Sequence, residues 1–381
     1  MAALQSGRKL RTVFVVTRHG QRTPCFVKEF NVLNEALQDD LLTHPCHAIV
    51  PIELRSLEGG PAPTSVFDKM HKENGFLYGG TCLSGQLTGK GADAQFRIGK
   101  WLRKRYVEDD KLISQEYVEE EIFVRSSNMR RTVLSARSVL AGLYPGHHKQ
   151  KIPIHVTTFE EEIIQPKTAY SLSFRNQELV ESKEAKKLGK EIGEFLQTDT
   201  EVDVFCLADN VLSLEELGLK SKVMESPLWN KAYEIAKRFM QSYAVGTNGR
   251  EREALQSGFG ALLDFIVTNI QGVLEEKISH KLFLIGGHDQ TVLRTLQSVG
   301  LSENDLPPTN SKVIIEVYDK DLETSPTQHV SVKFYRSEEN QLPQKEKDFT
   351  VEEFIKTVSP YRITLDEYVQ RCKRFDRNNQ P

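Results

Sequence analysis

The sequence predicts an α/β fold in which a mixed β-sheet is flanked by helices and interrupted by a mostly helical insertion. Three short apolar runs rich in branched residues, Thr12–Thr17, Glu121–Val124 and Lys281–Ile285, have the pattern of buried strands. Helical patterns separate them. A chain of 381 residues exceeds one small core, so we expect two domains or one large domain with an insertion.

The first strand, Thr12–Thr17, leads into a loop that begins with polar residues. Gly20 permits a tight turn in this loop, and Pro24 prevents regular structure from resuming at once. Glycine and proline are frequent in the segment 27–82, which is predicted to be irregular. A long excursion of this kind often carries specificity.

A helix is predicted from Thr88 to about Tyr106, because apolar residues recur on one of its faces at helical spacing. The second strand, Glu121–Val124, then ends at Arg125. Another helix follows, with Asn128 as its predicted cap.

Residues 159–275 are mostly helical by pattern and contain few strand signals. The three clearest helices are Ser182–Gln197, Pro227–Tyr243 and Arg250–Gln271. We interpret 159–275 as a helical cap domain, and residues 1–158 and 276–381 as the α/β core.

The chain returns to strand character at Lys281–Ile285, and a helix is predicted at Thr291–Val299. Lys312–Tyr318 and His329–Tyr335 alternate between apolar and polar residues, as antiparallel edge strands do. Thr350–Val358 is predicted to be a short C-terminal helix.

Composition narrows the classes of partner. Fifty basic residues against 53 acidic ones give a net charge of −3, which provides no reason to expect nucleic-acid binding. Five scattered cysteines without a CxxC pair indicate neither a disulfide framework nor a structural zinc site. We expect no transmembrane segment and no secretory signal, and therefore a cytoplasmic or mitochondrial protein.

Each of the three predicted strands ends in polar groups suited to phosphate. The six residues are Arg18, His19, Arg22, Arg125, His288 and Asp289. Ligands of open α/β sheets bind at the carboxyl ends of the strands, so these side chains are predicted to share one crevice. Two further arginines, Arg130 and Arg131, are predicted to be solvated or structural.

These residue types suit phosphoryl transfer without a metal ion. The planar forks of Arg18, Arg22 and Arg125 can bind phosphate oxygens in pairs and stabilise their charge. The imidazole of His19 can attack phosphorus, and Asp289 can protonate the departing alcohol. Because the acid must begin protonated, we expect an acidic pH optimum.

The run Arg18–Pro24 (RHGQRTP) resembles the RHGxRxP motif of the histidine acid phosphatases, and His288-Asp289 resembles their HD motif. The resemblance implies a phosphoglycerate-mutase-like sandwich with a helical cap, and no cofactor. It also implies that His19 is the nucleophile and Asp289 the proton donor. The phosphate would be held by Arg18, Arg22, Arg125 and His288.

Several stretches resemble the lysophosphatidic acid phosphatase branch of that family, among them Gly59–Ser65, Gly85–Thr88, Leu102–Asp109 and Leu140–Leu143. The implied substrate is a lysophospholipid. We also expect the protein to be a monomer. Three alternatives stay open. They are an inositol-phosphate or sugar-phosphate phosphatase, a phosphate-binding module without catalysis, and a phosphomutase.

Overall fold

An eight-stranded mixed sheet forms the centre of the molecule in the computed structural model, which describes residues 8–33, 37, 39–66, 82–166, 182–247, 249–320 and 327–378. The strands are β1 Leu10–Arg18, β2 Ile52–Arg55, β3 Ile122–Ser126, β4 Ile152–His155, β5 Leu282–Gly287, β6 Lys312–Tyr318, β7 His329–Tyr335 and β8 Lys345–Thr350. Their order across the sheet is β2-β4-β3-β5-β1-β6-β7-β8. The pairs from β2 to β1 are parallel, and those from β1 to β8 are antiparallel.

Helices cover both faces of this sheet. The helices are α1 Val27–Leu33, α2 Gly89–Leu102, α3 Arg130–Leu143, α4 Lys183–Leu196, α5 Val204–Glu216, α6 Leu228–Val245, α7 Glu251–Leu274, α8 Asp289–Ser298, α9 Val351–Val358 and α10 Leu365–Asn378. A π-helical segment, Arg103–Asp109, continues α2.

Side chains of β1 alternate between two apolar layers, as the two-residue period of a strand requires. Val13 and Val15 pack with α2 and α3 on one face. Phe14 and Val16 pack with α7, α8, α9 and α10 on the other. The sheet is therefore buried on both sides, which explains why the predicted parallel strands are continuous apolar runs.

The predicted α/β class and mixed sheet are confirmed, but the edges of the sheet differ from prediction. β6 lies directly beside β1 and all of its residues are buried, so it is an interior strand. β7 is interior too, because β8 covers its outer side. The prediction of edge strands was wrong because β8, with its charged sequence KEKDFT, has no apolar pattern of its own. The strands β2 and β4 were missed because each has only four residues, too few to show a pattern.

The observed start of a helix agrees with the predicted one where a hydroxyl side chain caps the helix. Thr88 accepts a hydrogen bond from the Gly91 amide at 3.0 Å and begins α2. Asn128 is not the cap of α3. Met129 precedes that helix, and the Asn128 side-chain amide instead donates to the carbonyl oxygens of Pro63 and Thr157.

The predicted insertion, 159–275, contributes to two different cores in its described part. Helices α4 and α5 share a separate apolar cluster with α1. In contrast, α7 packs against the sheet through residues such as Leu262 and Ile266. Parts of this insertion and of the segment 27–82 lie outside the described residues. The division into a core and a cap stays a prediction, with α7 belonging to the sheet by packing.

Helix α7 is long and apolar enough to cross a membrane by length and composition, with a mean hydropathy of 1.3 over its most apolar 18-residue window. More than half of that window, 56%, is buried inside the protein. The same composition is expected of a helix that packs one side of a sheet, and α7 fits that description.

Helices α2 and α3 cross at two glycines, Gly99 and Gly142. A Cβ atom added to Gly142 would meet the carbonyl oxygen of Phe96 and the backbone of Lys100, and one added to Gly99 would meet the carbonyl oxygen of Val139. The helix backbones therefore touch directly at this point.

We predict that Gly142→Ala lowers the free energy of unfolding by about 1 to 3 kcal/mol through overpacking. Helix propensity alone would give the opposite sign, a gain of about 1 kcal/mol. Urea unfolding followed by circular dichroism measures the difference. The control is Gly60→Ala, whose added Cβ lies 3.5 Å from its nearest neighbour. An alanine at 142 that matches or exceeds wild-type stability would contradict this account of the crossing.

Candidate active site

The predicted catalytic residues meet where the carboxyl ends of β1 and β5 lie side by side. Arg18 pairs with Gly287 in the parallel register, and the His19 amide donates to the Gly287 carbonyl at 3.0 Å. His19, His288 and Asp289 line one cavity of about 230 Å³. The prediction that distant strand ends form one crevice therefore holds for these residues.

The loop after β1 is held by close packing rather than by a turn that needs glycine. A Cβ on Gly20 would lie 2.5 Å from the carbonyl oxygen of Gly91, at the start of α2. The Gly20 amide donates to the Ser135 hydroxyl at 3.0 Å, and the Gln95 amide group donates to the Arg18 carbonyl at 3.0 Å. Gly20 has no positive φ, so its role is this close approach and not the predicted tight turn.

His19 presents one ring nitrogen to the cavity. Its Nδ1 lies 2.8 Å from the carbonyl oxygen of Gly20, and a carbonyl can only accept, so Nδ1 carries the proton. Nε2 then holds the lone pair. Burial lowers the pKa of His19 well below 6.5, and the positive charges of Arg131 and Arg18 lower it further. The imidazole is therefore neutral, as a nucleophile must be.

His288 and Asp289 line the same cavity from the start of α8. The His288 ring stands edge-on to His19, with ring centres 5.4 Å apart, and its Nε2 lies 2.9 Å from the Ser127 hydroxyl. Asp289 Oδ2 lies 3.2 Å from Nη2 of Arg18. Both predicted residues thus face the same cavity as His19.

Arg22 lines the cavity as predicted, and a residue that the sequence did not indicate holds it. Its Nη2 donates to both carboxylate oxygens of Asp209, at 2.7 and 2.8 Å. Its Nη1 donates to the Ser213 hydroxyl at 2.9 Å. Burial lowers the pKa of Arg22, but Asp209 outweighs burial and the pKa is raised.

Arg131, not Arg125, lines this cavity together with Arg22, and Arg18 lines a second cavity beside it. Arg131 lines the cavity with His19 and Arg22, and it is the strongest of the charges that lower the pKa of His19. It is the second residue of α3. Arg131 is therefore not solvated, as we had predicted it could be, because its side chain is buried and lines the cavity with His19.

Arg125 points to the other side of the strand. Val124 packs toward α2 and α3, so the next side chain along β3 faces α7. The Arg125 guanidinium carbon lies 5.5 Å from the ring centre of Phe265. Burial lowers the pKa of Arg125, and the carboxylate of Glu162 partly offsets this effect. Its predicted place in the phosphate site is corrected accordingly.

Aromatic and apolar side chains form another part of the cavity wall, beside the polar Gln165 and Gln290. These aromatic and apolar residues are Phe26, Phe205, Phe239, Met240 and Tyr243. The second cavity, of about 260 Å³, shares Arg22, Asp209 and Asp289 with the first.

The sequence contains a signal for the start of α5 that we did not use. Asp203 caps this helix by accepting a hydrogen bond from the Cys206 amide. Recognising α5 would still not have placed Asp209 in the site.

No group of three or more His, Cys, Asp or Glu side chains able to hold a metal ion occurs within the described ranges. None of the five cysteines, all of which lie in the described ranges, forms a disulfide bond. Cys25 lines the cavity, and burial raises the pKa of its thiol.

Comparison with known proteins gives relatives over nearly the whole chain. Lysophosphatidic acid phosphatase type 6 from Homo sapiens is 29% identical over 384 residues, covering 96% of this chain and 86% of that protein. The Bos taurus protein of the same name is 27% identical over 380 residues, with the same coverage.

Solved structures share the fold. The phytase from Citrobacter braakii aligns with a TM-score of 0.57 at 16% identity, over 94% of this chain and 98% of that one. The multiple inositol polyphosphate phosphatase of Bifidobacterium longum, solved with inositol hexasulfate, aligns with a TM-score of 0.58 at 13% identity, over 95% and 94%. At such identities the agreement concerns the fold.

A buried neutral histidine with arginines near it, at the carboxyl edge of a mixed sheet, agrees with the phosphatase class that these relatives indicate. The chain belongs to the histidine phosphatase superfamily, branch 2, whose family model matches residues 9–355. The expected acid phosphatase class and phosphoglycerate-mutase-like fold are thereby confirmed.

We predict that Arg131→Gln lowers kcat/KM by about 10²- to 10³-fold, the effect of losing one charge-stabilising donor. Arg125→Gln should keep kcat/KM within about threefold, because its side chain faces α7. Both are measured on p-nitrophenyl phosphate with folded protein confirmed by circular dichroism. Equal losses in the two variants would contradict the assignment of Arg131 to the cavity.

The lowered pKa of His19 predicts that activity is retained well below pH 6.5. Since Arg131 contributes to that lowering, Arg131→Gln should move the acidic limb of the kcat/KM profile to higher pH.

The unfolded chain binds the proton of His19 at a higher pH than the folded chain does, so the free energy of unfolding should fall as the pH drops below 6.5. Nitrogen-15 NMR of the histidine rings measures the pKa of His19 directly. A pKa near 6.5 would contradict both expected pH dependences.

Proposed function

We propose that this acid phosphatase hydrolyses lysophosphatidic acid through a phosphohistidine formed on His19, without a metal ion. The observation that carries the proposal is the hydrogen bond from His19 Nδ1 to the Gly20 carbonyl at 2.8 Å. It leaves Nε2 unprotonated and facing the cavity among Arg18, Arg22 and Arg131.

In the first step, Nε2 of His19 attacks phosphorus and forms an N–P bond while the ester P–O bond breaks. Asp289 transfers its proton to the departing alkoxide, which leaves as the alcohol. The three arginines stabilise the charge on the equatorial phosphate oxygens. His288, held by Ser127 at 2.9 Å, also supports the phosphate.

In the second step, water attacks the phosphohistidine and the N–P bond breaks. Asp289, now a carboxylate, takes the proton of that water. The products are inorganic phosphate and, for lysophosphatidic acid, monoacylglycerol. His19 returns to its neutral form.

The lining of the cavities supports a lipid substrate. The first cavity has an aromatic wall that includes Phe205 and Phe239. The second adds Leu212, Leu306 and Pro307. Apolar surface that adjoins charged groups suits a molecule with a phosphate head and an acyl tail. The names of the type 6 relatives agree with this substrate.

An inositol-phosphate phosphatase remains the second candidate, because the structural neighbours include phytases. A highly phosphorylated substrate favours a pocket rich in lysine. Among the described residues, no lysine lines either cavity, and Glu215 and Glu216 add negative charge to the second. A sugar phosphate, a binding module and a phosphomutase are further outcomes of the experiment below. A monomer in the cytoplasm or mitochondrion stays a prediction.

The test compares wild type with His19→Ala on lysophosphatidic acid, inositol hexakisphosphate, a sugar phosphate and p-nitrophenyl phosphate, from pH 4 to 8 with excess chelator. We expect phosphate release that resists chelation, is fastest on lysophosphatidic acid and vanishes in the variant. Acid-quenched protein should carry a phosphate on His19, detected by mass spectrometry.

Each alternative has its own signature. Faster release from the inositol or sugar phosphate would replace the lipid substrate. Binding without turnover by folded protein would favour a binding module. A resting enzyme already phosphorylated before substrate is added would favour a mutase. Loss of activity with chelator would remove the metal-free mechanism.

A further inference from the structure

Asp209 brings a negative charge from the insertion to the phosphate site. It lies on α5, and both of its oxygens contact Nη2 of Arg22, at 2.7 and 2.8 Å. The pair is largely buried, with the Arg22 side chain 6% exposed and the Asp209 side chain 20% exposed. An aspartate beside a phosphate-binding arginine requires an explanation, because phosphate and carboxylate compete for the same donor.

The hydrogen-bond donors of Arg22 are nearly all engaged. Nη1 donates to the Ser213 hydroxyl at 2.9 Å and to the Thr23 carbonyl at 3.1 Å, and Nη2 donates to Asp209. Nε is buried and has no hydrogen-bond partner in the described part of the chain. A phosphate can therefore gain a second donor from Arg22 by taking over a contact that protein atoms now make.

Asp209 is the contact most readily exchanged. Thr23 belongs to the loop after β1 and is held there, because its hydroxyl donates to the Leu83 carbonyl at 2.8 Å. Ser213 donates to the Asp209 carbonyl inside α5 at 2.9 Å and is also fixed. The Asp209 carboxylate, in contrast, borders both cavities and is partly exposed, so it can turn to solvent.

Charge favours the same exchange. A phosphate dianion at His19 and the Asp209 carboxylate would share Arg22 and repel each other across a few ångströms of poorly screened space. A charge-assisted bond from arginine to phosphate replaces the one to the carboxylate, so the guanidinium stays paired throughout.

We propose that Asp209 is a displaceable counter-ion of Arg22, which holds the guanidinium toward the cavity and yields it to the phosphate. Its charge thereby weakens phosphate binding and helps the product leave. The proposal rests on phosphate binding beside His19, as in the proposed function, but not on the lipid substrate.

The test is calorimetric titration of inorganic phosphate into the full chain. Asp209→Asn keeps the shape and removes the charge, so we expect its Kd for phosphate to fall roughly tenfold. Asp209→Glu keeps the charge and should stay within about twofold of wild type. Ser213→Ala removes a neutral contact to the same guanidinium and should bind phosphate equally or more weakly.

Steady-state kinetics on p-nitrophenyl phosphate provide a second reading. In Asp209→Asn, KM and the inhibition constant of phosphate should fall together, while kcat does not rise. A purely structural role for Asp209 would weaken binding and lower stability instead. If Asp209→Asn does not fold, as judged by circular dichroism, Asp209→Ser serves as the neutral variant.

Unchanged or weaker phosphate binding in the neutral variants would overturn the proposal, as would equal tightening in Asp209→Glu. An absence of phosphate binding in every form would do the same. Tighter binding together with no turnover of lysophosphatidic acid would support the counter-ion and remove the lipid substrate. The two proposals are therefore separable.

Discussion

The parallel pairing of β1 with β5 is the contact on which the site depends. It places His19 next to His288 and Asp289, although some 270 residues of chain lie between them. The hydrogen bond from the His19 amide to the Gly287 carbonyl, at 3.0 Å, extends that pairing by one residue beyond the strand. Close packing of Gly20 on Gly91 then fixes the direction of the loop. A shift of register would separate His19 from Asp289.

Burial controls the charge of His19 and of the arginines around it. His19 is 3% exposed, and with three cationic arginines near it the imidazole stays neutral. Placing several cations in such a site would be unfavourable if they lacked partners. Carboxylates provide part of that compensation, since Asp289 faces Arg18 and Asp209 faces Arg22. These pairs keep the guanidinium groups directed at the position where a phosphate would bind.

The insertion contributes polar groups to the site as well as part of its apolar wall. Its helix α5 supplies Asp209 and Ser213 to Arg22, and α6 supplies Phe239 and Met240 to the cavity wall. The end of β1 and the loop after it thus supply His19 and Arg22, while the insertion supplies the groups that pair with Arg22 and part of the apolar wall. This arrangement lets specificity change while the catalytic edge of the sheet stays the same.

The sequence by itself determined the class of fold, the loop Arg18–Pro24 and the pair His288-Asp289, because buried strands and short motifs are local features. The tertiary structure decided which other residues join them. The direction of a side chain on β3 sends Arg125 toward α7, and the start of α3 brings Arg131 to the cavity. Asp209 reaches Arg22 across 187 positions of sequence through the packing of α5, which no local pattern encodes.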